Sequence, residues 1–283
     1  MPSSSSSEDA GEARKRSAQR AEGERSSSKP AEGERSPGPD VSPFDLPGRG
    51  AAAALCLHGL TGTPYEVRPL AEALSRAGIR AVGPALPGHN QTPSHLARTS
   101  HGEWLAAVRE HLQSLRAKHA RVFVVGVSLG GLLSLALAAE EPIDGVVVVG
   151  TPLRFSLGLR TFIPLVAPVV AYVKKRGGSD IREPGARSRH PSYDVMPLAS
   201  VAELIRLQRL VRSRLSRVNA PILIAHGAHD RTAHPADARA IHAKVGSAER
   251  QLLVLEASAH VATVDYDGAL LARSAAEFLN RFA

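Results

Sequence analysis

The 283-residue chain predicts an α/β fold, with a mostly parallel central sheet flanked by helices. Three observations predict it. Short apolar runs alternate with segments of helical period, as strands alternate with crossover helices. The runs are nearly continuous rather than alternating, which suits strands covered on both faces. The connections between them are long enough for right-handed crossovers rather than hairpins.

After the lead-in VSPFDLPGRG, residues 51–57 read as a buried strand and 66–77 as a helix with Leu70, Ala73 and Leu74 on one face. Residues 79–82 read as a second strand, followed by turns at Pro84 and Pro87-Gly88. An amphipathic helix over 104–115, a strand over 122–125, a small-residue helix over 129–139 and the four-valine strand 146–149 come next. The beat then breaks. Residues 151–200 contain FIPLVAPVVAYV, a KKRGG stop and a stretch rich in Pro, Arg and His, and read as an insertion over the sheet. The alternation resumes with a helix over 201–215, a strand over 222–225, a helix over 236–244, a strand over 252–255 and a terminal helix over 269–282. Residues 41–150 and 201–283 therefore form the α/β core. Residues 1–40 are expected to be a disordered low-complexity tail: a serine run, a duplicated AEGERS and no aromatic residue offer too little apolar surface to offset the entropy of ordering.

Composition narrows the class. The formal net charge is +8, and since residues 1–40 hold 7 basic and 8 acidic side chains, the rest carries +9. The body is large enough to bury about 70% of its unfolded surface without staples. One Cys excludes an intrachain disulfide and a thiolate zinc cluster and points to a reducing compartment. There is no apolar core of a signal peptide, and every apolar stretch is broken before the roughly 18 residues of a membrane span. A cytoplasmic protein without stable membrane insertion is expected.

The decisive local pattern is GVSLG at 126–130, between a strand and a helix. Small residues two before and two after Ser128 let the backbone approach closely and hold its hydroxyl out of the sheet. The plainer alternative is a turn whose Ser caps the helix. A serine nucleophile needs a base, and the base needs a carboxylate to fix its tautomer. Asp230, ending ILIAHGAHD, and His260, in the loop SAHV, follow in the order Ser, acid, His, each just past a strand on the same sheet edge. Glu256 is the nearest alternative orienter of His260, whereas Asp237 and Asp267 fall in or beside expected surface helices. Backbone N–H groups of Leu129, after the nucleophile, and Leu60, in LHGLTG, are positioned to hold a developing oxyanion. His226, His229 and His234 could be drawn with Asp230 as a metal cluster, although Asp230 has the better-explained duty. His58 reads as shaping a turn through its ring hydrogen bonds, and His89, His95 and His101 as loop and cap residues.

With these residues in view, the chain resembles the α/β-hydrolase family, and within it the bacterial carboxylesterases and monoacylglycerol lipases with a small cap inserted after the sixth family strand. The resemblance covers about residues 51–283 and rests on LCLHGLTGTPYEVRPLAEAL, the PGH of 87–89, VVGVSLGG, RLSRVNAPILIAHGAHD and ASAH. It implies Ser128, Asp230 and His260 as catalytic triad, Leu60 and Leu129 as oxyanion hole, and ester hydrolysis through an acyl-enzyme with no cofactor and no metal. The expected partner is a small-molecule ester, of short to medium acyl chain or a monoacylglycerol.

Phe155, Leu157, Phe162, Leu165 and Val169 are apolar enough to line an acyl pocket, and equally to pack the cap onto the sheet. Lys174, Lys175 and Arg176 are expected to stay in water. Thioesterase, lactonase or acyltransferase activity is open on the same triad, as is a non-catalytic binding protein on this fold. The series Arg206, Arg209, Arg212, Arg214 and Arg217 raises nucleic-acid binding, but the residues are spread around a helix with no aromatic platform, so a solvated face is expected and nucleic acid is not.

Overall fold

The computed structural model describes residues 38–175 and 177–283. The tail expected over 1–40 lies almost wholly outside the described residues. The compact body spans Pro39–Ala283 and begins slightly before the expected boundary at 41. There the Asp40 carboxylate accepts from the Ser42 N–H at 2.9 Å and pairs with Arg68 at 2.7 Å.

The elements run β1 (Phe44–Leu46), β2 (Ala52–Leu57), α1 (Arg68–Arg76), β3 (Arg80–Gly83), α2 (Pro93–Arg98), α3 (His101–Arg116), β4 (Arg121–Val127), α4 (Leu129–Ala138) and β5 (Gly145–Val149). An inserted segment follows, with α5 (Leu157–Val166), β6 (Tyr172–Lys174), α6 (Pro184–Arg189) and β7 (Val195–Pro197). The chain closes with α7 (Leu198–Arg214), β8 (Ile222–Gly227), α8 (Ala236–Lys244), β9 (Arg250–Leu255) and α9 (Gly268–Asn280). Seven strands form one sheet in the order β1-β3-β2-β4-β5-β8-β9. Every pairing in it is parallel except β1 with β3.

The valine-rich strands divide their side chains by the two-residue period. Leu55, Val124, Val148 and Ile224 face a core closed by α3, α4, α7 and α8, which includes the fully buried Trp104. Cys56, Val125, Val147 and Leu223 face the opposite core under α1 and α9. In β2, β4, β5 and β8 almost no side chain on either face meets water, which is why those runs show no polar alternation. Helix α3 starts where Ser100 and Glu103 cap each other's backbone N–H groups.

Several elements differ from the sequence reading. β1 lies inside the lead-in and is held only by a distant partner, with the Phe44 ring packed where a Cβ on Gly83 would come within 2.2 Å. α2 is a short helix in the loop after β3. α7 starts at Leu198, directly after β7, so its first residues extend into the segment expected to end at 200. β9 is an edge strand and leaves Leu252 and Val254 partly in water.

Helix α4 crosses β2 in near contact. A Cβ on Gly130 would lie 2.1 Å from the Leu57 carbonyl oxygen and 2.9 Å from that of His58, both of them backbone atoms. Gly130→Ala is therefore expected to destabilise the fold by about 1–3 kcal/mol by overpacking, read as a lowered thermal midpoint. It also displaces Ser128, so activity falls further than the unfolded fraction explains.

Candidate active site

Ser128 occupies the turn between β4 and α4 at φ 54° and ψ −111°, a left-handed region that a serine seldom adopts. Two glycines make the turn possible: a Cβ on Gly126 would stand 2.2 Å from the Gly130 carbonyl oxygen. The Ser128 N–H donates to the Val149 carbonyl at 2.9 Å and ties the turn to β5. Its side chain makes no helix-capping bond, which removes the alternative of a capping serine.

His260 Nε2 lies 3.0 Å from Ser128 Oγ, and its Nδ1 lies 2.8 Å from Asp230 Oδ2. All three residues are buried. Asp230 Oδ1 accepts from the N–H groups of Thr232 at 2.8 Å and Ala233 at 2.7 Å, so the loop after β8 fixes the carboxylate and directs Oδ2 at the ring. Glu256 is exposed and does not compete for that nitrogen.

A second imidazole reaches the same carboxylate. His226 Nε2 stands 3.0 Å from Asp230 Oδ2 and 3.1 Å from the Ala233 carbonyl. Considered from sequence only as a metal ligand, His226 instead braces Asp230; the signal was its place in β8, four residues before the acid. His234 is engaged locally, its Nδ1 accepting from the Ala236 N–H at 3.0 Å.

These contacts set the protonation states. Burial alone raises the Asp230 carboxyl, but the His260 ring, the His226 ring and the Ala233 N–H outweigh it and hold the group well below the usual carboxylate range. Burial alone lowers His260. The Asp230 charge and hydrogen bond overcome it, with Asp180 and Glu66 adding, and raise His260 above its ordinary value of 6.5.

The LHGLTG turn abuts Ser128: a Cβ on Gly59 would lie 3.4 Å from Ser128 Cβ. It brings Leu60 to the site, while Leu129 opens α4 beside Ser128. His58 Nδ1 donates to the Gly59 carbonyl at 3.0 Å while Nε2 accepts from the Leu86 N–H at 3.1 Å, a neutral ring that shapes the turn as expected. Buried Glu66 accepts the Gly59 N–H at 2.7 Å and faces His190 Nε2 at 3.0 Å. Burial works against its charge, yet His190, His58 and Gly59 together hold the carboxyl at about 2. Neither Glu66 nor His190 was singled out from sequence, because their pairing spans the insertion.

Thr61, β-branched yet at φ 63°, is held in place from the insertion. Lys175 Nζ donates to Thr61 Oγ1 at 2.5 Å and to Ser192 Oγ at 2.7 Å, and the Ser192 hydroxyl donates to the Thr61 carbonyl at 3.2 Å. Lys175, expected in water, is thus half-buried against the LHGLTG turn; burial pushes its ammonium group down. Lys174 is exposed as expected, and Arg176 lies outside the described residues.

The triad opens into a cavity of about 410 Å³. One wall is apolar, with Phe155, Leu159, Ile163, Met196, Val201 and Leu204; the other carries Thr61, Glu66, Lys175, Asp180, His190 and Ser192. Of the expected pocket residues, Phe155 alone lines it. Leu157, Phe162 and Leu165 are exposed because the helical period of α5 turns Ile163 inward and brings partly exposed Leu159 to the cavity rim instead, and Val169, past the end of the helix, is exposed as well. Two further expectations need correction. Asp237 is buried, accepting from the N–H groups of Leu153 at 2.9 Å and Arg154 at 3.3 Å. Asp267 accepts from the Ala257 N–H at 2.8 Å and the Ser258 hydroxyl at 2.9 Å, bracing the loop that carries His260.

A strand-turn-helix nucleophile, a buried His–Asp pair and an apolar-walled cavity on one sheet edge define a serine hydrolase. The family described as serine aminopeptidase S33, an α/β-hydrolase family, matches residues 49–267, and the chain belongs to it. It is 33% identical over 242 residues to a thermostable monoacylglycerol lipase of Bacillus sp. (strain H-257), covering 83% of this chain and 92% of that protein. It is 27% identical over 240 residues to a carboxylesterase of Bacillus subtilis (strain 168), covering 84% and 96% respectively. Among solved structures, one from the metagenome-derived lipolytic enzymes LipS and LipT superposes with a TM-score of 0.80 at 30% identity, over 87% of this chain and 100% of the other.

The raised His260 has a consequence for pH dependence. If neutral His260 serves as the base, as its contact with Ser128 Oγ suggests, kcat/KM is expected to rise with pH along a limb centred above 6.5. Asp230→Asn removes the charge that raises His260 and leaves burial, which lowers it, so the limb moves to lower pH. The same variant reduces kcat about 10³–10⁴-fold with little change in KM. A pH–rate profile of both proteins checks the two expectations together.

Proposed function

We propose that this chain, a serine hydrolase of carboxylic esters, acts on short- to medium-chain acyl esters, monoacylglycerols included, through an acyl-enzyme on Ser128. The observation that carries the reading is the hydrogen-bond chain Asp230–His260–Ser128, 2.8 and 3.0 Å long, beside an apolar-walled cavity of about 410 Å³. The similarity to a monoacylglycerol lipase and a carboxylesterase supports the same substrate class.

In this mechanism His260 Nε2 takes the Ser128 hydroxyl proton as Oγ bonds to the ester carbonyl carbon. The N–H groups of Leu60 and Leu129 hold the tetrahedral oxyanion. Collapse breaks the bond to the alcohol oxygen, which leaves with the proton from His260. Water, deprotonated by the same ring, then releases the acid. The acyl chain follows the apolar wall of Leu159, Ile163 and Val201, and the alcohol side meets the polar wall of Thr61, Lys175 and Ser192. Residues 151–200 act as the cap that sets acyl length. A cytoplasmic setting agrees with the single cysteine, Cys56, whose thiol burial pushes up to about 12 and keeps unreactive.

Ser128→Ala is expected to abolish hydrolysis of aryl esters and monoacylglycerols with an unchanged circular dichroism spectrum, whereas retained turnover contradicts the assignment. Ile163→Trp, which fills the apolar wall, is expected to shift the optimum in an acyl-length series toward shorter chains and leave acetate esters nearly unaffected. An unshifted optimum places the acyl chain elsewhere.

A further inference from the structure

Asp180 belongs to the polar wall of the cavity, yet both of its carboxylate oxygens are engaged by the loop that carries Asp230. Oδ2 accepts from the Arg231 N–H at 2.8 Å and from the Thr232 hydroxyl at 3.0 Å, and Oδ1 lies 3.3 Å from Arg231 Nε. The Arg231 side chain is 81% exposed against 12% for that of Asp180, so the ion pair contributes little and the backbone and hydroxyl donors carry the contact. The N–H groups of Arg231, Thr232 and Ala233 follow one another along the chain and are all given to carboxylates. Asp180 takes the first, and Asp230 Oδ1 takes the other two. Successive N–H groups of this kind form an anion-binding concavity. Two acidic side chains share it, one from the loop itself and one from the inserted segment.

The same residue reaches the loop that carries His260. The Asp180 carbonyl accepts from the N–H of Val261, directly after His260, at 3.2 Å. Ile181 is buried beside it with Ala186 and Val261 and packs on Val264. On the other side of His260, Asp265 accepts from the Ala259 N–H at 2.8 Å, and it also accepts from those of Arg182 at 2.9 Å and Glu183 at 2.8 Å. A closed ring results: Asp180 to Arg231 and Thr232, through Asp230 to His260, and back through Val261 to Asp180. The charges that face His260 are Asp230 from the β8 loop, Asp180 from the inserted segment and Glu66 from the turn after β2. Arg231 faces Asp180, His226 faces Asp230, and His190 faces Glu66. Burial lowers the His260 ring, and the three carboxylates raise it, Asp230 foremost.

We propose that Asp180 is a positioning residue for the hydrolysis assigned above to Ser128, on which this inference rests: it clamps the Asp230 loop to the His260 loop and sets a second negative charge beside the imidazole. The clamp holds Asp230 and His260 in one orientation through each proton transfer, where a small displacement of either costs rate rather than substrate affinity. The charge favours the imidazolium that forms when the ring takes the Ser128 proton, because it is fixed in place before the reaction begins. The inserted segment thus takes part in the chemistry as well as in walling the cavity.

Steady-state kinetics of the full-length protein on a soluble acetate ester, followed across pH, test the proposal. Asp180→Ala is expected to lower kcat about 10–100-fold with KM within about twofold of wild type. Asp180→Asn keeps an acceptor oxygen for the Arg231 N–H and loses the charge. Its kcat is expected to fall less than that of Asp180→Ala, and its rising limb of kcat/KM to lie at lower pH than in wild type, because a charge that favours the protonated ring is gone. Glu256→Gln removes the same charge from an exposed position after β9 and is expected to move neither kcat nor the limb. Circular dichroism and the thermal midpoint accompany each variant, and if Asp180→Ala does not fold, the limb of Asp180→Asn decides. An unmoved limb in Asp180→Asn overturns the proposal. A raised KM at wild-type kcat overturns it in favour of a substrate-binding residue, and a rate loss matched by the unfolded fraction overturns it in favour of a fold brace. Ser128→Ala distinguishes the two levels: an inactive Ser128→Ala beside wild-type behaviour of both Asp180 variants removes the clamp alone, whereas turnover by Ser128→Ala removes the reading beneath it.

Discussion

The site depends on one backbone constraint, the left-handed turn at Ser128. A serine at φ 54° is strained, and it persists because its surroundings leave the chain nowhere else to go. Gly126 and Gly130 bring α4 against the ends of β2 and β4 with no room for a side chain, and the Ser128 N–H is fastened to β5. With strand, turn and helix so locked, the hydroxyl projects at the sheet edge where β2, β5, β8 and β9 also end. The triad then needs only short loops to complete it, and its precision is borrowed from the sheet.

Buried carboxylates carry the next level of organisation. Asp230 accepts two N–H groups of its own loop before it meets His260. Glu66 accepts the Gly59 N–H and so pins the turn that holds Leu60. Asp265 accepts from the N–H groups of Ala259, Arg182 and Glu183, joining the His260 loop to the inserted segment. A buried charge is costly unless it is paired or hydrogen-bonded. Each of these accepts at least one backbone N–H, Asp230 and Glu66 with imidazole partners besides, which converts a group expensive to bury into a staple for one loop. Asp237 does the same for the start of the insertion, at the price of a carboxyl that burial raises.

The inserted segment works on both sides. Its inner side gives the cavity an apolar wall through Leu159 and Ile163 and reaches strained Thr61 through Lys175 and Ser192. Its outer side exposes the apolar residues that the inner side does not use. One helix thus faces two environments, and its 3.6-residue period decides which residue meets which.

Much of this was legible in the sequence. The strands announced themselves as valine-rich runs because both faces are covered, and GVSLG, HGAHD and SAH marked Ser128, Asp230 and His260 because close backbone approach and strand-end loops leave local traces. What tertiary structure alone decided was everything held by distant partners. β1 exists through its pairing with β3, Glu66 has meaning beside His190, and Lys175 leaves water because Thr61 and Ser192 meet it. Local sequence records a residue's own backbone preferences and periodicity, but the side of α5 that turns inward, and the arginines that come to share a groove with it, follow from how α5 seats against α7. That is a packing result, and no single segment contains it.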